Sequence, residues 1–279
     1  MSHAVLLAVS LSCVGQAADD ADAREKLVNA WLEVCMSHAK DYRIHPVDKP
    51  KEELNLLPKA VFRHHQPVRG NDIGGMYVWV GRDGRPGVLG NIFVYSRSAV
   101  RDGSRNAIHE IQSLADVPLA VAWRERSHRF EAVFPWTPIP NAPQPAASSA
   151  ERTRQVRLLS RRFQGHSIDR SGARWELRLI PRPLYLYETK EHDTVLGGAL
   201  FALCQGTDVE IVLAIEARRT AQGYRWHYGC GDFSDYRLFT RLDDDEVWSS
   251  PGTHLPGVKW AQHVNRIKLP QDGPESSNE

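Results

Sequence analysis

The sequence predicts an α+β protein of two similar halves, each a helix packed on an antiparallel meander sheet, related by internal duplication. Three observations carry that expectation. GGMYVWVGRDGRPGVLGNIFVY (Gly74–Tyr95) and GGALFALCQGTDVEIVLAIEA (Gly197–Ala217) follow one plan: a Gly-Gly pair, an apolar run, a polar turn and a second apolar run. PWTPIPNAPQPAASS, from Pro135 to Ser149, cannot build a core and separates the two stretches. A helical pattern follows the N-terminal leader and another follows this linker. The 279 residues, 42% hydrophobic and 25% charged, suffice for one large domain or two modest ones.

Residues 1–17 read as a signal peptide: an uncharged apolar run from Ala4 to Val14, then the small-x-small Gly15-Gln16-Ala17. The run is well short of the ~20 apolar residues that span a bilayer. The expected mature chain is therefore secreted or periplasmic, with no transmembrane segment. Residues 18–134 form the expected first half. Leu27, Ala30, Trp31, Val34 and Cys35 recur at three- and four-residue steps and stack on one helix face. KDYRIHP and KAVFRHH read as strands. Met76 to Val80 is apolar on every residue, as in a strand covered on both faces. Gly81–Gly84 supplies a hairpin turn, and HEIQSL and PLAVAWRERSHRFEAVF supply further strands.

Residues 135–149 are the linker and residues 150–262 the second half. Ser148 and Glu151 have capping-box spacing, and Val156, Leu159 and Phe163 follow at helical steps. RWELRLI, PLYLYE, the second Gly-Gly hairpin, YRWHYGC, YRLFTRL and EVWS then continue as strands. Residues 263–279 are polar, aperiodic and expected to be a disordered tail.

Thirty-five Lys and Arg against 34 Asp and Glu leave a net charge of +1, so no global field draws polyanions or membranes. Nucleic acid is not expected as a partner. No GxSxG, phosphate-binding Gly loop, HExxH or EF-hand occurs, and no cofactor or metal is expected. Cys35, Cys204 and Cys230 lack CxxC spacing. Either they are buried small apolar residues or, in an oxidising compartment, Cys204 and Cys230 form one bridge.

Aligning the halves sets His109 against His227. If the halves pack about a pseudo-twofold axis, both imidazoles face one cleft, and Glu110, Asp232 or Asp235 completes a metal or acid–base site. The alternative is that each ring is satisfied by hydrogen bonds on its own strand. Of the adjacent His64 and His65, at most one can join a given site. Arg154, Arg157 and Arg161 form a basic helix stripe, either a solvated face or a site for an anionic polymer. Trp136 in the linker and Trp260 near the tail are candidates to face a ligand or partner.

The motifs LRLIPRPLYLYE, LGGALFALCQGTDVEIVLAIEARR, YRWHY and VW resemble a group of uncharacterised exported bacterial proteins common among planctomycetes. The resemblance spans roughly Arg152 to Trp248 and, more loosely, Pro67 to Trp136. It implies export and the boundaries above, and brings no activity or site residue. The expected function is a non-enzymatic module binding a ligand or protein of the cell envelope. The alternative is a metal-dependent or acid–base hydrolase with a His/carboxylate site between the halves.

Overall fold

The computed structural model describes residues 5–66, 72–96, 103–189, 194–252 and 259–269, with the backbone alone for 5–21. Helix α1 (Val5–Lys40) is followed by β1 (Tyr42–Pro46), β2 (Asn55–Leu56), β3 (Phe62–Gln66), β4 (Asp72–Val80) and β5 (Pro86–Tyr95). Next come β6 (Arg105–Ser113), β7 (Leu119–Trp123), β8 (Arg126–Phe130) and β9 (Thr137–Pro138). Helix α2 (Ser149–Ser160) precedes β10 (Phe163–Ile168), β11 (Arg174–Leu179), β12 (Tyr185–Glu188), β13 (Val195–Gln205) and β14 (Asp208–Thr220). The chain continues through β15 (Gly223–Asp232), β16 (Arg237–Leu242), β17 (Asp245–Ser250) and β18 (Lys259–Ile267).

All pairings are antiparallel and build three sheets. A six-stranded sheet runs β18-β6-β5-β4-β2, with β3 also on β4. A nine-stranded sheet runs β17-β16-β10-β11-β13-β14-β15-β9, with β12 also on β13. A three-stranded sheet runs β1-β7-β8.

The expected α+β fold of two helix-on-meander halves is not the one formed. Eighteen strands against two helices make a mostly antiparallel β-protein among the described residues. The sheets also ignore the expected division. β9, from the linker, pairs with β15, and β18, which straddles the end of the second half, pairs with β6. Strand β18 runs through Ile267, across the boundary at which the tail was expected, and residues 270–279 lie outside the described ones.

The physical reason lies in the doubly apolar strands. Along β4, Ile73, Tyr77 and Trp79 face a core shared with Trp31 of α1 and with Ile44, Val121 and Trp123 of the small sheet. Met76 and Val78, pointing the other way, join Leu89 against Leu200, Ala202, Val212 and Ala214 of β13 and β14. The opposite faces of β13 and β14, with Phe201 and Leu213, meet Val156 and Leu159 of α2. Each helix therefore covers only an outer face, and the two large sheets cover each other. Ser148 caps α2, accepting from the Glu151 amide at 3.3 Å, and its hydroxyl donates to the Glu151 carboxylate at 2.9 Å.

The sheets are tied at one end by a closed ionic cluster. Glu216 accepts Arg85 Nε at 2.7 Å and Nη2 at 2.8 Å, Arg218 Nη1 at 2.7 Å, and the Tyr187 hydroxyl at 2.6 Å. Asp116 accepts Arg85 Nη1 at 2.6 Å and Arg218 Nη2 at 2.9 Å. Trp136 packs under this cluster, its ring 4.7 Å from the Arg218 guanidinium carbon.

The Gly-Gly pairs mark close backbone approaches. A Cβ on Gly74 would sit 2.3 Å from Phe93 Cβ, and one on Gly198 would sit 2.4 Å from the Ile215 carbonyl oxygen. Gly198→Ala is expected to cost about 1–3 kcal/mol in urea unfolding, because the backbone itself must shift. A cost below about 0.5 kcal/mol would contradict the close approach.

Candidate functional site

The two histidines do not share a site. His109, on β6, is fully buried in the outer core among Trp123, His38 and Tyr42. Gln262 fixes its tautomer. The Oε1 of Gln262 accepts from Arg126 at 3.2 Å, so its Nε2 donates to the Tyr42 hydroxyl at 2.6 Å and towards His109 Nδ1 at 3.1 Å. His109 Nδ1 therefore accepts, and Nε2–H donates to His38 Nδ1 at 3.0 Å. Burial, His38 and the nearby arginines push its pKa down to about 2. Both ring nitrogens are used, so His109 is a neutral core residue.

His227 lies half-buried on β15 of the other large sheet, its Nδ1 3.1 Å from the carbonyl oxygen of Arg225. It has no partner in common with His109. Among the described residues no group of three or more His, Cys, Asp or Glu is arranged to hold a metal ion. The three cysteines are free and buried, each pushed up to about 12 by burial. Cys204 and Cys230 face opposite sides of their sheet, so the bridge conceivable from the sequence does not form.

Two other candidates do converge. Asp232, at the end of β15, accepts Lys259 Nζ at 3.0 Å, and the same ammonium lies 3.7 Å from Glu110 Oε1. Lys259, Glu110 and Asp232 come from three strands and two sheets, and all are buried. The cluster extends in both directions. Ser250 donates its hydroxyl to Asp232, while Asn91 donates to Glu110 Oε2 at 3.2 Å and accepts from His64 Nε2 at 3.1 Å. Lys259, Asn91 and Ser250 are not among the residues the sequence marks out. The alternation of KWAQHV, which places Lys259, Ala261 and His263 on one face, is the signal that points to Lys259.

Glu110 and Asn91 form part of the wall of a cavity of about 510 Å³ between the sheets. Asp208, Glu210 and Asp235 line it with Glu110; Phe93, Ile108 and Phe233 supply apolar wall, and Arg170, 3.6 Å from Asp235, and His263 stand on the same wall. Asp169, also on the rim, is committed to its own turn, accepting from the Ser171 and Ala173 amides at 2.9 and 3.0 Å. Burial raises the Glu110 pKa to about 7, with Lys259 and Asn91 pulling it down and the carboxylates of Asp208 and Asp235 pushing it further up. Burial lowers the Lys259 pKa, but Glu110 and Asp232 outweigh it and the net direction is up.

The remaining candidates stand apart from this cavity. Arg154, Arg157 and Arg161 are exposed on α2 and at its end. Trp136 is enclosed by the arginine cluster, and Trp260 stacks on His128 at 5.4 Å, so neither is a free aromatic platform. His64 and His65 lie on β3, with His64 buried in the polar chain. No helix among the described residues is long and apolar enough to cross a membrane. Compared with protein-family models, curated proteins and solved structures, the chain finds no match.

Removing Lys259 leaves two buried carboxyl groups without their cation. Lys259→Met is expected to cost about 3–5 kcal/mol, and adding Asp232→Asn should recover part of that loss. No recovery in the double variant would contradict the pairing. Glu110 has the opposite signature: its pKa is higher folded than unfolded, so the folded state holds the extra proton. Stability should fall as pH rises from the ordinary glutamate range through about 7, and Glu110→Gln should flatten that slope. An unchanged slope would remove Glu110 as its source.

Proposed function

We propose that the protein is an exported binding module whose inter-sheet cavity takes a small cationic ligand, an alkyl amine or a guanidinium compound. The observation that carries this reading is Glu110: a buried carboxyl in the wall of a cavity also lined by Asp208, Glu210 and Asp235. A cation entering the cavity favours the ionised form of Glu110, and the apolar wall of Phe93 and Ile108 suits the ligand's hydrocarbon part. Export rests on the N-terminal apolar run and on the resemblance stated above. The exposed arginines of α2 support an anionic envelope polymer or protein as an additional partner.

One observation favours a second reading, acid–base hydrolysis. A carboxyl with a pKa of about 7 can donate a proton near neutral pH, and Asp235 on the same cavity can act as the base. The residues are then Glu110 and Asp235, and the separated His109 and His227 take no part.

Calorimetric titration with 1,4-diaminobutane separates these readings. Affinity should rise about tenfold between about pH 6 and about pH 8 as Glu110 ionises. Glu110→Gln should weaken binding and remove its pH dependence. Absence of amine binding at either pH would sink the binding-module reading. Turnover of an envelope-type substrate that Glu110→Gln abolishes would establish the hydrolase instead.

A further inference from the structure

The outer face of the three-stranded sheet carries a groove that none of the sequence motifs marks. The inner face of β1, β7 and β8 is spent on the core through Tyr42, Ile44, Val121 and Trp123. Register then dictates what points outward: Arg43 opposite Ala122 and Ser127, and His45 opposite Ala120 and Arg129. The middle strand therefore presents only methyl groups between two taller walls. The result is a depression of about 730 Å³ floored by Ala120 and Ala122 and walled by Arg43, His45 and Arg129. A second depression, of about 440 Å³, adjoins it, shares Arg43 and Ala122, and adds Lys40 and Arg124.

The charge of this groove is one-sided. Arg124 is held by Asp41 at 2.9 Å and Arg129 by Glu131 at 2.6 Å, both in solvent-exposed pairs that contribute little. Arg43 and Lys40 have no ion-pair partner among the described residues. Glu53 is the carboxylate on the wall of the larger depression, and Asp41, the partner of Arg124, is the one on the wall of the smaller. Arg43 and Arg129 stand two strands and two residues apart, about 12 Å between their backbone positions by ordinary sheet spacing.

We infer that this groove binds an acidic oligosaccharide, with carboxylates or sulfates of successive sugar units on Arg43 and Arg129 and a sugar ring face on Ala120 and Ala122. Guanidinium forks suit planar carboxylates, and a flat methyl floor suits the C–H face of a pyranose ring. An acidic peptide fits less well. The groove lies on the face of the sheet, where the ladder consumes every backbone donor and acceptor of β7. A bound peptide backbone would be desolvated without partners, whereas peptides are ordinarily recognised along a sheet edge. The inference does not depend on the cationic ligand of the inter-sheet cavity. It shares with the α2 arginines only the anionic class of partner.

The test is a titration of the full chain with a galacturonic acid hexamer at low salt, followed by calorimetry and by backbone amide shifts. Binding should perturb the amides of Ala120 and Ala122 and weaken at least tenfold in Arg43→Ala/Arg129→Ala. The shifts of Ala120 and Ala122 should persist in Arg154→Ala/Arg157→Ala/Arg161→Ala. Both arginines of the groove variant are exposed, and its circular dichroism and unfolding midpoint should match the parent. Absence of binding overturns the inference, as does equal binding by the groove variant. Loss in the α2 variant would assign the polymer to the helix stripe, and equal or tighter binding of a glutamate hexamer would assign the groove to acidic peptides. Either result also overturns it.

Discussion

The face-to-face packing of the two large sheets is the contact on which the rest of the molecule depends. Met76, Val78 and Leu89 on one side and Leu200, Ala202, Val212 and Ala214 on the other exclude solvent from a layer with no helix in it. Burying such a layer stabilises by roughly 25 cal/mol per Å² of apolar surface, and neither sheet can keep that gain alone. Strands β9 and β18 make the arrangement hard to undo. β9, which follows the small sheet in sequence, is an edge of the nine-stranded sheet, and β18, which follows β17 of that sheet, is an edge of the six-stranded one, so the chain crosses between the sheets at both edges.

That layer explains which parts of the fold were legible in the sequence. The strands were readable because alternation, Gly turns and β-branched runs are local signals, and the α2 cap at Ser148 and Glu151 is equally local. The architecture was not. A strand apolar on every residue, as Met76 to Val80 is, announces cover on both faces, and a single helix supplies cover for one. Taken at full weight, that pattern argues for a sheet as the second cover and against two separate helix-on-meander halves. What the pattern does not encode is which sheet, since pairing between Lys259 and Gln112 or between Tyr228 and Thr137 joins residues far apart in the chain.

The same limit governed the site. Glu110 and Asp232 stood out as carboxylates beside candidate histidines, yet what joins them is Lys259, from a strand in a segment read as the end of the second half. His109 stood out for the same reason and proved to be a core residue. A histidine becomes available for chemistry only when a ring nitrogen is left over, and Tyr42, Gln262 and His38 together leave none. Sequence spacing carries no information about such long-range satisfaction. The basic groove over Ala120 and Ala122 was hidden for a related reason: its cations come one or two at a time from separate strands and never form a charge run.

The two ionic clusters between the sheets show how one packing layer is locked at one end and open at the other. An ionised carboxylate offers about four acceptor positions. Glu216 fills four, with three guanidinium N–H groups and the Tyr187 hydroxyl, and Asp116 accepts one further N–H from each arginine. Glu216 keeps no acceptor position for a ligand, and Trp136 packs on the two guanidinium groups. Glu110 is supported differently. Asn91 makes one hydrogen bond to it, and Lys259, a point charge rather than a fork, sits nearer to Asp232 than to Glu110. Glu110 therefore accepts fewer hydrogen bonds than Glu216, at a cavity-lining carboxyl whose charge is less fully compensated. A lysine and an asparagine beside Glu110, where Glu216 has two arginines and a tyrosine, account for the difference in how fully the two carboxyl groups are bonded.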